Sequence, residues 1–184
     1  MKKHKYFSVI ILVITAIFAF IPVSKTVLKI LYPLRYEDYI QEYSSKYNLD
    51  EYLIMALIKT ESNYIYDAHS GIARGLMQIT DDTAVWIAEK MGMEFYPDDI
   101  ENPEININMG CYYLRYLLDY YDWDIQYALA AYNAGMGNVN KWLENSSTEY
   151  SNDFISSIPF SETQNYLKKI NHAQKVYEKL YRKV

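Results

Sequence analysis

The stretch LIMALIKTES, Leu53 to Ser62, governs how the rest of the chain is read. Ile54, Leu57 and Ile58 recur at helical spacing and form one apolar stripe. Glu61 falls on that same stripe, so a carboxyl group is aimed at the core from the end of a helix. Partial burial disfavours the charged form of an acid, and the partial negative charge of a helix C-terminus does the same. A carboxyl held protonated near neutral pH is a general acid. The competing assignment is structural: a solvated helix end, or an ion pair with a base such as Arg74.

The sequence on either side reads as a string of helices. Arg35 to Tyr47 places Tyr36, Tyr39, Ile40 and Tyr43 on one side, and Asp50 then caps a helix from Glu51 to Ser62. Tyr64 to Ile79 has no clear period and reads as a loop. Thr80 or Asp81 opens a helix running to Met91. A second loop, MGMEFYPDDIENP, leads to Asn102-Pro103, a typical helix entry, and to a long helix ending at Tyr121. Ile125 to Ala134 is helical and stops at Gly135. Asn138 to Leu143 forms a short helix and SSTEYSNDFISSIP a polar loop. Ser161 to Gln164, S-E-T-Q, reads as a capping box for a final helix to Arg182. No segment shows the alternation of a strand, so the expected class is all-α.

Composition narrows the function. The single cysteine, Cys111, excludes an intrachain disulfide, and His4, His69 and His172 lack zinc-ligand spacing, so no metal or other cofactor is expected. Of 18 basic and 23 acidic residues, five lysines and no acid fall in residues 1–33. The remainder carries 13 against 23, a net charge of −10. That balance disfavours nucleic acid, which requires basic patches. The 21 tyrosines suit either ordinary amphipathic packing or stacking on sugars.

The beginning, MKKHKYFSVIILVITAIFAFIPV, has a basic start and an uncharged run from Tyr6 to Val23. It reads as a retained signal anchor, a single transmembrane helix, with a cleaved signal peptide as the alternative. Lys2, Lys3 and Lys5 place the amino end in the cytoplasm and the rest outside it. The expected division is therefore tail, anchor and connector in 1–33 and one exported domain in 34–184.

Four further strings follow Glu61 in order. They are GLMQIT (Gly75 to Thr80), Asn102-Pro103 before a helix with Gly110 and Tyr113-Leu114, AYNAGMGNV (Ala131 to Val139) and IPFSETQNY (Ile158 to Tyr166). As an ordered set, from Tyr36 to Tyr177, the chain resembles the lysozyme-like lytic transglycosylases of glycoside hydrolase family 23, the Slt-type catalytic domain. The resemblance implies that Glu61 is the single catalytic acid. It implies that Met77 and Gln78 line the sugar groove, that Tyr132 and Asn133 lie near the scissile bond, and that Glu162 lies at the floor of the site. Ser70 matches a serine close to the acid. Each has an ordinary structural reading beside it: Met77 as core, Asn133 as a helix C-cap before Gly135, Glu162 as a first-turn acid. The chain departs from the family at Ile65-Tyr66, where Asn-Pro is usual, and at Gln164, where arginine is usual.

The resemblance further implies cleavage of the β-1,4 bond between N-acetylmuramic acid and N-acetylglucosamine in peptidoglycan, leaving 1,6-anhydromuramoyl ends. Glu61 would first protonate the bridging oxygen and then act as base on the sugar's own 6-hydroxyl. Expected partners are glycan strands and, through the N-terminal segment, the bacterial membrane. Recruitment to a cell-wall-spanning assembly would suit such an anchored enzyme. The alternatives are a lysozyme-like hydrolase, with Asp67 positioning water, a non-catalytic peptidoglycan-binding protein, and a helical membrane adaptor.

Overall fold

The computed structural model describes residues 25–145 and 154–182. The expected anchor, Tyr6 to Val23, lies outside the described residues. No helix among the described residues is long and apolar enough to cross a membrane.

Residues 25–31 form α1. There follow α2 (Glu37–Lys46), α3 (Glu51–Glu61), β1 (His69–Ser70), β2 (Ala73–Arg74), β3 (Ile79–Thr80) and α4 (Asp81–Met91). A 3₁₀ turn (Pro97–Glu101) leads to α5 (Pro103–Tyr120), α6 (Ile125–Ala134), α7 (Met136–Asn145), α8 (Phe154–Ser157) and α9 (Ser161–Tyr181). Local chemistry sets most of these starts. The Asp50 carboxylate accepts from the Leu53 N–H at 2.8 Å, and Asn102 accepts from Glu104 N–H at 2.9 Å beside Pro103. Thr80, the residue before α4, accepts from Thr83 N–H at 3.3 Å.

Three expectations need correction. The stretch read as a strandless loop contains a three-stranded antiparallel sheet, with Ser70 opposite Ala73 and Arg74 opposite Ile79. Its strands are two residues each, too short for any period to register in the sequence. Ser161 is the first residue of α9 rather than its cap. Phe160 occupies the cap position, and Gln164 donates instead to the Ile158 carbonyl at 2.8 Å. The polar loop before it includes the helical turn α8, while residues 146–153 lie outside the described set.

The core is built around α3, whose residues Leu53 to Ile58 are all buried. α3 packs along α9, which turns Thr163, Tyr166, Leu167, Ile170, Ala173 and Tyr177 inward. α5 crosses with Ile107, Met109, Leu114 and Leu117 buried. At Gly110 the helix approaches Met77 so closely that an added Cβ would lie 2.9 Å from the Met77 Cβ. Overpacking typically costs about 1–3 kcal/mol, against roughly 1 kcal/mol of helix propensity gained by alanine. Gly110→Ala is therefore expected to lower the urea midpoint, with net destabilisation of about 1 kcal/mol. An unchanged midpoint would show that Met77 moves freely.

Candidate active site

Glu61 is the last residue of α3. The chain leaves the helix through Asn63 and Tyr64, both with positive φ, at 52° and 66°. Such a conformation is costly for an aromatic residue and must be held by its surroundings. Tyr64 is held by burial and by donating its hydroxyl to the Met55 carbonyl at 3.3 Å. The sharp exit leaves the Glu61 side chain at the helix mouth, partly buried, with a path to solvent.

Its partner is a tyrosine from the other end of the chain. The Tyr166 hydroxyl donates to Glu61 Oε1 at 2.5 Å. Burial raises the Glu61 carboxyl from 4.5 to about 7, and the Tyr166 hydrogen bond pulls the other way. The Arg74 pairing considered above does not form. The Arg74 guanidinium meets Asp81 at 2.7 Å and donates to the Pro97 carbonyl at 2.8 Å. Tyr166→Phe is expected to raise the Glu61 pKa further, so the alkaline limb of the activity profile should move to higher pH. A pH–rate profile with an unmoved limb would remove Tyr166 from this role.

Tyr132 and Asn133 converge from the end of α6. The Tyr132 hydroxyl donates to the Met77 carbonyl at 2.9 Å, and its ring leans on Tyr113 with centroids 5.3 Å apart. Burial, and then the nearby Glu61 charge, push the phenols of Tyr132 and Tyr166 well above their ordinary value. Both therefore remain neutral hydrogen-bond donors. Asn133 is exposed, and its Oδ1 accepts from Thr163 Oγ1 at 2.8 Å. This bond ties α6 to the first turn of α9.

The other sequence candidates occupy supporting positions. Met77 is fully buried against Gly110, and it reaches the site through its carbonyl rather than its side chain. Gln78, with φ at 48°, donates to the carbonyls of Ala68 and Gly75, both at 2.9 Å, and accepts from the Ser70 hydroxyl. Ser70 and Gln78 together close the small sheet. Glu162 is exposed on the first turn of α9. The inward face of α9 runs through Thr163, Tyr166 and Leu167, and Glu162 lies to one side of it. Asp67 is exposed as well.

Beside this cluster, beyond Tyr113, lies an open cleft of about 310 Å³ lined by Asp82, Thr83, Trp86, Tyr113, Tyr116 and Met136. Trp86 meets Tyr116 edge-on at 4.8 Å, which gives the cleft an aromatic wall. Sequence reasoning missed both this wall and Tyr166. Tyr166 was present in the IPFSETQNY string and lies on the apolar stripe of α9, the one signal that could have singled it out.

Residues 38–155 match the family model described as the transglycosylase SLT domain. The chain belongs to that family. It is 36% identical over 143 residues to the soluble lytic murein transglycosylase of Escherichia coli strain K12, a match covering 76% of this chain and 22% of that protein. It is 32% identical over 168 residues to the membrane-bound lytic murein transglycosylase C of Serratia proteamaculans, covering 79% of this chain and 47% of the relative. The SLT chain thus spans less than half the length of these relatives. Among solved structures it superposes on the 70 kDa soluble lytic transglycosylase of Escherichia coli with a TM-score of 0.78 and 35% identity, covering 83% of this chain and 25% of that one. An inactive glutamate-to-glutamine mutant of the lytic transglycosylase Slt from Pseudomonas aeruginosa gives 0.77 at 29% identity, over 83% of this chain and 25% of that one. The expected mainly helical, lysozyme-like fold is the fold found.

Proposed function

We propose that this SLT-domain chain is a peptidoglycan lytic transglycosylase in which Glu61 alone carries the proton transfers. The observation behind this is the Glu61 carboxyl, raised to about 7 by burial and oriented by Tyr166. A group with that pKa can give and retake a proton near neutrality. In the first step Glu61 protonates the oxygen of the β-1,4 bond between N-acetylmuramic acid and N-acetylglucosamine. The C1–O bond breaks with assistance from the muramoyl 2-acetamido group. In the second step the Glu61 carboxylate takes the proton of the sugar's own 6-hydroxyl, whose oxygen attacks C1. The 1,6-anhydro ring closes without water, and Glu61 ends protonated as it began. The tethered nucleophile removes the need for a second carboxylate.

Tyr132, Asn133 and the Trp86–Tyr113–Tyr116 wall supply hydrogen bonding and flat apolar faces suited to glycan strands. Gln78 and Ser70 hold the small sheet beside the groove, and Glu162 stands at its rim. The reading extends to the whole chain as 1–33 tail, anchor and connector and 34–184 catalytic domain, the latter outside the cytoplasm. Retention of the N-terminal segment would make the protein single-pass, and its cleavage would release the domain. Two observations on relatives support the chemistry proposed: they are named as lytic murein transglycosylases, and the glutamate-to-glutamine mutant of the Pseudomonas protein is inactive.

Digestion of purified sacculi by the full chain tests the reading. Mass spectrometry should find muropeptides one water lighter than lysozyme products. Reducing ends alone would favour a hydrolase on the same fold, and no release of fragments would favour a binding protein.

A further inference from the structure

The groove between α1 and α9 has a chemistry unlike the acidic remainder of the molecule. It encloses about 450 Å³ and is lined by Lys25 and Leu28 of α1 and by Lys175, Val176, Lys179 and Leu180 of α9, with His172 at its edge. α1 is tied to this face at its far end. The Tyr181 hydroxyl donates to the Tyr32 carbonyl at 2.7 Å, the Tyr32 and Tyr177 rings meet edge-on at 5.5 Å, and Lys29 Nζ sits 5.7 Å over the Tyr181 ring.

Lys25, Lys29, Lys175 and Lys179 are exposed, and the ion pairs found among the described residues include none of them. The acid beside them on α9, Glu178, is engaged with Arg182 at 3.3 Å. On the side turned away from the groove α1 exposes Val27, Ile30 and Leu31, Ile30 to 72%. Within the groove Leu28, Val176 and Leu180 lie among the lysines, and aliphatic side chains flanked by lysines are the chemistry of a face lying at a lipid interface. The position in the chain agrees, because the uncharged run that ends at Val23 stops two residues before Lys25.

We propose that the α1–α9 face docks on a bilayer surface carrying anionic phospholipids. The ammonium groups of Lys25, Lys29, Lys175 and Lys179 meet headgroup phosphates around the aliphatic side chains of Leu28, Val176 and Leu180. The interaction is separate from the proposed cleavage activity and does not depend on it. Residues 34–184 carry a net charge of −10, so the rest of the domain is repelled by the same surface and the orientation is fixed. α9 is continuous from Tyr166, at the acid site, to Lys179. At 1.5 Å per residue the acid site lies roughly 20 Å along the helix from Lys179.

The full chain, associated with vesicles, can be probed by lysine acetylation and mass spectrometry. Vesicles containing phosphatidylglycerol should slow labelling of Lys25, Lys175 and Lys179 at least about fivefold relative to pure phosphatidylcholine, with Lys90 and Lys141 unchanged. High salt should remove the difference. The double variant Lys175→Glu, Lys179→Glu should lose the protection of Lys25. Equal labelling in the two vesicle types overturns the proposal. So does protection that appears with soluble polyphosphate and neutral vesicles but not with the anionic bilayer, since the partner would then be a dissolved polyanion.

Discussion

Glu61→Gln is expected to reduce release of muropeptides from purified sacculi by about a thousandfold or more, because one group serves as acid and then as base and general acid–base steps contribute about 10²–10⁴ each. The same substitution should stabilise the fold at alkaline pH. The sign follows from the direction of the pKa. In the folded protein the carboxyl is raised to about 7 from 4.5, so between those values the folded state holds the proton more firmly than the unfolded one. The favourable contribution of the protonated carboxyl is complete below pH 4.5 and is lost as pH rises through 7. Above 7 the native protein carries a partly buried charge that glutamine lacks, a cost of up to about 3 kcal/mol. Urea unfolding should show the glutamine variant ahead at pH 8, with the gap closing toward pH 4. Activity of the native protein should decline as pH rises through 7, as the acid loses its proton. Full activity in Glu61→Gln would remove Glu61 from the chemistry. Lost activity without the alkaline stability gain would mean that Glu61 is better solvated than its packing indicates.

The second large effect concerns stability. Asn106 is fully buried in α5 and accepts from the Met77 N–H at 2.7 Å while donating to the carbonyls of Ile100 at 2.8 Å and Arg74 at 3.2 Å. One side chain thereby satisfies backbone groups of the small sheet and of the 3₁₀ turn. Asn106→Ala leaves those groups buried without partners, at about 1–3 kcal/mol apiece, for a total of about 4 kcal/mol. Urea unfolding measures it, and a loss under about 1 kcal/mol would mean that water enters and replaces the amide. Gly75 belongs to the same junction. Its φ is 81°, and a Cβ there would lie 2.8 Å from the Ile100 carbonyl oxygen. Loosening this junction should also displace the Met77 carbonyl that receives Tyr132.

These residues show how far the sequence could be read. Glu61 was legible because helical period is local: three apolar neighbours within two turns define its face. The starts of α3, α4 and α5 were legible for the same reason, since Asp50, Thr80 and Asn102 act on N–H groups two or three residues away. Tyr166 and Asn106 were not. Their roles depend on partners 105 and 29 positions distant, and nothing in their immediate neighbours encodes the pairing. Met77 carried a motif assignment but uses its carbonyl, and no side-chain pattern reports what a backbone group does. The string around Glu162 did not reveal which face of α9 turns inward, because that face is set by α3, which lies elsewhere in the chain.

The 105-residue span between Glu61 and Tyr166 also dictates an order of events. In a chain synthesised from its amino end, Glu61 emerges long before α9. Until α9 docks, α3 lacks its cover and the carboxyl stays hydrated, with the ordinary acidity of a surface glutamate and little capacity to donate a proton at neutral pH. The acid is therefore dormant in the nascent protein. Docking of α9 arms it, so molecules clipped before α9 carry Glu61 without the raised pKa on which its proposed role depends.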